Sequence, residues 1–150
     1  MGMEIGSIHV RRSILIQATP ARVWHEFQSF DRVSNWLDLG HRLDAFECRT
    51  GGEVRMSVEI DGEQRSYGGR ILVFDPEREV SFESQWDSPH DWPVPTFWTI
   101  RLTSVYDETM VEIFHHGFER MGDAAADNLE GYEDGWDIKH LKALRSIIES

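Results

Sequence analysis

The middle of the chain is a succession of short alternating segments separated by turn residues, and this pattern restricts the fold more than any other feature. The segment "EVRMSVEI" has an apolar residue at every second position from Val54 to Ile60 and ends at Asp61-Gly62. That dipeptide is typical of tight hairpin turns, and strict alternation is typical of half-buried strands. The pattern therefore predicts consecutive antiparallel strands joined by short connections.

Seven strands are predicted in all. The first, "IHVRRSILIQ", has Ile8, Val10, Ile14 and Ile16 on one parity, with Arg12 as the interruption. The other six are "LDAFECR", "EVRMSVEI", "SYGGRILVF", "EVSFESQW", "FWTIRLTSV" and "TMVEIFHHGF".

Helical signals lie on both sides of these strands. Thr19 is a plausible N-cap with Pro20 at the first helical position, and Asp31 is the predicted cap of a second short helix. From residue 123 to residue 150 the apolar residues fall mostly three or four apart, with acidic residues in the first half and basic residues in the second. This order complements the helix dipole and predicts one long amphipathic C-terminal helix.

Composition limits the possible functions. The 150 residues, 40% of them apolar, predict a single globular domain over residues 1–150. A formal charge of -12 argues against binding to nucleic acids and anionic membranes. Cys48 is the only cysteine, so an intrachain disulfide and a thiolate zinc cluster are excluded. The start has no apolar run of signal-peptide length, and we expect a cytoplasmic protein without membrane insertion.

These elements predict an α+β fold. An antiparallel sheet of about seven strands needs a cover on one face, and the C-terminal helix is the obvious one. The two short helices that follow the first strand would close one end. A strongly bent sheet wrapped round one helix does not fill its own interior easily, so a pocket between sheet and helix is expected.

The order of these elements resembles a known superfamily. "TPARVWHEF" with Trp36 soon after, "GGEVRM", "VEIFHHGF" and "EGYEDGW" are similar to segments of the SRPBCC superfamily, which has the helix-grip fold also described as START or Bet v 1-like. Within it the chain is similar to the branch of the activator of heat-shock-protein-90 ATPase, related to polyketide cyclases. The resemblance implies a cavity for hydrophobic small molecules or lipids. The eukaryotic co-chaperones of this branch carry an additional N-terminal domain, so chaperone activation is not the expected role.

The two adjacent histidines do not form a metal site. His115 and His116 would point to opposite faces of a strand, so both cannot bind one ion. His115 shares parity with the inward residues Val111 and Ile113 and is predicted to be buried and hydrogen-bonded to the helix or its own strand, whereas His116 belongs to the more exposed series. The acidic residues between 123 and 137 are spread round their helix and are predicted to be solvated. Neither a metal nor a cofactor is predicted.

The candidate binding site consists of the inward-facing residues. We expect them to form an aromatic wall with a few polar points, suited to a flat or elongated apolar ligand. The predicted ligand-binding residues are Met56, Val58, Tyr67, Ile71, Phe82, Trp86, Trp98, Ile100, Ile113, His115, Tyr132 and Trp136.

Three functions remain open at this stage. The favoured one is binding of a hydrophobic or aromatic small molecule, or a lipid, without catalysis. The second is an enzyme of the polyketide cyclase or dehydratase type that uses His115 or Tyr67, with Arg12 as the candidate second ionisable group. The third is a protein-interaction or stress-response module presenting Trp92 in "DSPHDWPVPTFW". A homodimer is compatible with the sequence but not derivable from it.

Overall fold

The computed structural model describes residues 2–6, 9–87, 94–120 and 139–150. Trp92, Tyr132, Trp136 and the acidic stretch between 123 and 137 lie outside the described residues. In chain order the elements are β1 (His9–Ile16), α1 (Pro20–Trp24), a 3-10 turn (His25–Phe27), α2 (Phe30–Leu37), β2 (Arg42–Phe46), β3 (Glu53–Ile60), β4 (Glu63–Asp75), β5 (Glu79–Trp86), β6 (Thr96–Val105), β7 (Glu108–His116) and α3 (Lys139–Glu149).

The described strands form one sheet of seven, in the order β1-β7-β6-β5-β4-β3-β2. Every pair is antiparallel, and only β1 and β7 are neighbours that do not follow each other in the chain. Register shifts between Leu43 and Ala45 and between Ile71 and Val73 mark irregularities of the kind that bend strands. The predicted α+β fold with a curved antiparallel sheet is confirmed.

The short helices begin where side chains cap their first turns. Thr19 is the N-cap of α1, as predicted, and its side chain accepts a hydrogen bond from the Arg22 backbone N–H. The N-cap of α2 is Ser29, which accepts from the Arg32 N–H, so the prediction that Asp31 caps this helix was wrong. Ser29 has the extended backbone that an N-cap requires, whereas Asp31 already lies in the first turn.

The helix α3 is held by apolar packing and by polar contacts. It packs against α2 and β1, and its Leu141 and Leu144 are completely buried. The ring Nδ1 of His140 lies 3.1 Å from the backbone oxygen of Trp36, and the backbone N–H of Gln17 donates to the Glu149 carboxylate at 2.7 Å. These contacts hold the described part of the C-terminal helix against α2 and the edge strand β1.

The outer face of the sheet is covered in part by residues 2–6. The backbone N–H of Gly6 donates to Nδ1 of His116 at 3.1 Å, and that of Met3 donates to the Glu79 carboxylate at 2.7 Å. His116 is buried beneath this segment, and Phe114 on the same face is also buried, with the Arg11 and Arg101 guanidinium groups near its ring. The prediction that this series is exposed was wrong, because strand alternation shows which face a residue occupies but not whether another segment covers that face.

The hydrogen bonds that surround His116 on the outer face fit one arrangement of donors and acceptors. Because Gly6 N–H can only donate, Nδ1 of His116 accepts, and its Nε2–H donates to the Thr99 hydroxyl at 2.7 Å. The Thr99 hydroxyl then donates to Ser81 at 2.9 Å, and Ser81 donates to the Glu79 carboxylate at 2.9 Å. The chain of hydrogen bonds therefore requires a neutral His116, in line with burial lowering the pKa of His116 to about 4.

We expect the packing of α3 to respond strongly to a buried truncation. Leu144→Ala should lower the free energy of unfolding by about 2–5 kcal/mol, because it removes a fully buried side chain from the contact of α3 with the core. The matched control Lys142→Ala changes an exposed residue of the same helix and should cost less than about 0.5 kcal/mol. Urea denaturation measures both; equal losses would contradict this account of α3.

The neutral His116 predicts a dependence of stability on pH. A histidine with a folded pKa below its ordinary 6.5 binds its proton more readily when unfolded, so its contribution is complete above pH 6.5 and falls as the pH drops towards about 4. Between these pH values the free energy of unfolding should change by up to about 1.4 kcal/mol per pH unit. His116→Gln removes the titration, and its unfolding free energy should fall less steeply in this window. Equal slopes for the two proteins would contradict the assignment.

Candidate functional site

The face of the sheet opposite residues 2–6 is called the inner face. Directly paired residues of antiparallel strands lie on the same face, so the strand register identifies its members. One row across the sheet is Val10, His115, Trp98, Phe82 and Ile71. A second row is Leu43, Met56, Tyr67 and Trp86.

The described members of the predicted site all share this face. The buried ones are Met56, Tyr67, Ile71, Phe82, Ile100, Ile113 and His115. The half-buried ones are Val58, Trp86 and Trp98. Tyr132 and Trp136 lie outside the described residues. The inner-face placement predicted from alternation therefore agrees with the register, and a ligand-binding role for these residues stays a prediction.

His115 is enclosed by aromatic rings. It is completely buried, with the rings of Trp98 and Phe118 each 4.8 Å away, centroid to centroid. Its Nε2 lies 2.8 Å from the hydroxyl oxygen of Thr96. This partner is on the neighbouring strand β6. A bond from His115 to the C-terminal helix stays a prediction, because residues 121–138 lie outside the described residues. Burial, followed by the nearby His116, lowers the pKa of His115 to about 3, so the ring is neutral near pH 7.

Ser84 lies beside this histidine on the inner face. It pairs with Thr96, whose hydroxyl donates to the Ser84 backbone oxygen at 3.2 Å. The Ser84 side chain is 2% exposed, and its hydroxyl has no hydrogen-bond partner within the described part of the chain. A buried hydroxyl without a hydrogen-bond partner lowers the free energy of unfolding by about 1–3 kcal/mol. Sequence alternation places Ser84 inward, but it did not single the residue out, because a serine among apolar residues gives no sign of an unmet bond.

A second polar group, formed by His41 and Tyr67, lies in the row of the inner face that contains Trp86. Nδ1 of His41 is 2.6 Å from the hydroxyl of Tyr67, and the Tyr67 and Trp86 rings are 4.3 Å apart. His41 also meets the Trp86 ring edge-on at 6.3 Å. Burial, and then the charge of Lys139, lower the pKa of His41.

The sequence analysis did not single out His41. It follows Gly40, whose φ of +80° turns the chain sharply after α2, and it precedes β2, so no periodic pattern includes it. Arg12 was the candidate second ionisable group for an enzyme. It lies on the edge strand β1 opposite Ile113 and donates to the Arg11 backbone oxygen at 2.8 Å. The ionisable group beside Tyr67 is therefore His41 and not Arg12.

Two negative findings apply to the described ranges. Within residues 2–6, 9–87, 94–120 and 139–150, no three His, Cys, Asp or Glu side chains are grouped so that they could hold a metal ion. In the same ranges no helix is both long and apolar enough to cross a bilayer.

Known proteins share this architecture. A protein from Chromobacterium violaceum is 22% identical, with a TM-score of 0.70 over 95% of this chain and 98% of its own. The Aha1 dimer from Colwellia psychrerythraea is 17% identical, with a TM-score of 0.60 over 95% of this chain and 96% of its own. DynU16, a protein in the dynemicin biosynthetic locus, is 18% identical, with a TM-score of 0.65 over 96% of this chain and 48% of its own. At these identities the likenesses show the fold alone.

Sequence comparison adds the family. No curated protein gives a match. The family model of the activator of Hsp90 ATPase homolog 1-like proteins matches residues 17–149, which is most of the sequence. Together with the sheet topology, this match shows that the chain belongs to the activator of Hsp90 ATPase homolog 1-like family, a branch of the SRPBCC superfamily.

Proposed function

We propose that the chain binds a hydrophobic or aromatic small molecule, or a lipid, against the inner face of the sheet. The observation that carries the proposal is the buried Ser84 hydroxyl, which lacks a partner among the described residues within an aromatic wall. A ligand atom that hydrogen-bonds to this hydroxyl would remove the cost of its burial. We also propose that residues 1–150 form a single domain and that the protein is cytoplasmic.

The wall favours a flat ligand. Trp86 and Trp98 are half-buried on the inner face, and the Phe82 and Trp98 rings are nearly parallel, at an interplanar angle of 5°. Aromatic rings stack on other flat apolar surfaces. The polar points are few and lie at separate places, which is the usual composition of a small-molecule site. This arrangement supports an aromatic ligand with one or two hydrogen-bonding groups.

Binding without catalysis is the better-supported form of the proposal. His115 is completely buried, engages Thr96, and has a pKa of about 3, so it is a poor proton acceptor near neutral pH. The alternative of a cyclase- or dehydratase-type enzyme is favoured by one observation, the contact between Tyr67 and His41, because acid/base catalysis needs two groups within hydrogen-bond reach. Tyr67 is then the candidate acid/base, and His115 is not.

The third alternative, an interaction module presenting Trp92, stays a prediction, since Trp92 lies outside the described residues. The homodimer likewise stays a proposal, and the dimeric state of the Colwellia psychrerythraea protein is a property of that protein.

We expect a larger side chain at position 84 to block the site. Ser84→Leu adds volume to the inner face at the place where a ligand would meet the hydroxyl, so the affinity for β-naphthamide, a flat neutral probe, should fall at least about tenfold. If space exists there, the leucine is accommodated and the loss of stability stays below about 1 kcal/mol. Tryptophan fluorescence quenching measures binding, and urea denaturation measures stability.

The control is Ser104→Leu, an exposed position at the end of β6, which should leave probe binding unchanged. A wild-type protein that does not bind β-naphthamide, together with a loss of about 1–3 kcal/mol in Ser84→Leu, would show a filled interior and would refute the proposed function.

A further inference from the structure

A row of small residues crosses the middle of the inner face. Ser84 on β5 pairs directly with Thr96 on β6. The register of β4 and β5 on either side places Gly69 opposite Ser84, and a glycine adds no side chain to the face. Gly69, Ser84 and Thr96 are called the small-residue row.

Large side chains flank this row along the same strands. On β5, Phe82 and Trp86 each lie two residues from Ser84, and on β6 Trp98 lies two residues from Thr96. Residues two apart on a strand share a face and are about 6–7 Å apart. The small-residue row is therefore lower than the aromatic rows beside it, and the Ser84 hydroxyl lies at its centre.

The Thr96 hydroxyl has no proton left for a ligand. A backbone oxygen can only accept, so Thr96 donates its single hydroxyl proton to the Ser84 backbone oxygen at 3.2 Å. Nε2 of His115, which lies 2.8 Å from the Thr96 hydroxyl oxygen, then carries a proton and donates it to Thr96. Thr96 is thus both a donor and an acceptor already.

The Ser84 hydroxyl is a donor without an acceptor. It is 2% exposed and has no hydrogen-bond partner in the part of the chain that the structure describes. A ligand N–H group that bound to the Ser84 oxygen would leave the Ser84 proton unpaired. A ligand oxygen that accepts this proton would satisfy it, so the missing partner is an acceptor.

A neutral acceptor fits this position better than an anionic one. None of the three residues of the small-residue row carries a charge. A carboxylate buried on this row would have no cation within it, and burial of an unpaired charge costs far more than burial of a neutral polar group. A carbonyl oxygen is neutral, accepts strongly and brings no proton of its own.

We propose that Ser84 donates a hydrogen bond to a carbonyl oxygen of the ligand, and that the ligand is a neutral aromatic carbonyl compound whose carbonyl group lies over the small-residue row. This inference rests on the proposed function and narrows its ligand from a flat apolar molecule to one with a neutral acceptor.

The test compares 2-acetylnaphthalene with 2-isopropenylnaphthalene, in which a CH₂ group replaces the carbonyl oxygen and the shape is nearly unchanged. Equilibrium dialysis measures the dissociation constant of each probe for the wild-type protein and for Ser84→Ala. The substitution should weaken binding of the ketone about three- to tenfold, the usual effect of one hydrogen bond, and leave binding of the alkene within about twofold. Comparing the ratio of the two constants between the proteins removes the difference in hydration between the probes.

A measurement without ligand separates this role from a structural one. Ser84→Ala removes a hydroxyl that has no partner among the described residues, so the urea midpoint of the ligand-free protein should stay the same or rise. A lower midpoint would show that the hydroxyl makes a stabilising bond within the protein and would overturn the inference.

Ser57→Ala is the matched control. Ser57 is similarly buried, at 3% exposure, but it follows the inward-facing Met56 on β3 and therefore lies on the other face. This control should leave the ratio of the two constants unchanged.

The outcomes for the inference and for the proposed function are distinct. Equal effects of Ser84→Ala on both probes, or the same change of ratio in Ser57→Ala, would overturn the inference. So would failure of the ketone to bind to a wild-type protein that binds β-naphthamide, and in that case the proposed function stands. If neither probe nor β-naphthamide binds to the wild-type protein, then both the proposed function and this inference fail.

Discussion

The antiparallel register that runs from β1 through β7 to β2 is the constraint on which the rest of the structure depends. Side chains alternate between faces, so a shift of one residue in any pair would move an entire strand's apolar set to the opposite face. The observed register instead aligns His115, Trp98 and Phe82 in one row. It thereby assembles an aromatic inner face from residues that are far apart in the sequence.

The same register separates two adjacent histidines into different environments. His115 faces inward, among rings and beside Thr96, whereas His116 faces outward into a chain of hydrogen bonds that ends at Glu79. Both have lowered pKa values because both are buried. Only His115 lies on the face proposed to bind a ligand, and the polar network around His116 instead holds residues 2–6 against the sheet.

Alternation and turn signals were sufficient to predict the sheet, because each strand carries its own period and hairpin connections limit the pairing. They also predicted the inward set from Met56 to His115. They did not predict that residues 2–6 cover His116, because a segment without a periodic pattern gives no sign of where it packs. They also missed His41, which meets Tyr67 only after the sharp turn at Gly40 brings it beside β4.

The central claim is that a flat ligand lies against the inner face, beside Trp86 and Trp98. The most direct measurement is the indole N–H spectrum of the protein, recorded by nuclear magnetic resonance while β-naphthamide is added. The account predicts changes in the Trp86 and Trp98 signals and none at Trp36, whose indole N–H donates to the Glu26 backbone oxygen in the short-helix region. Changes confined to Trp36, with Trp86 and Trp98 unaltered, would contradict it.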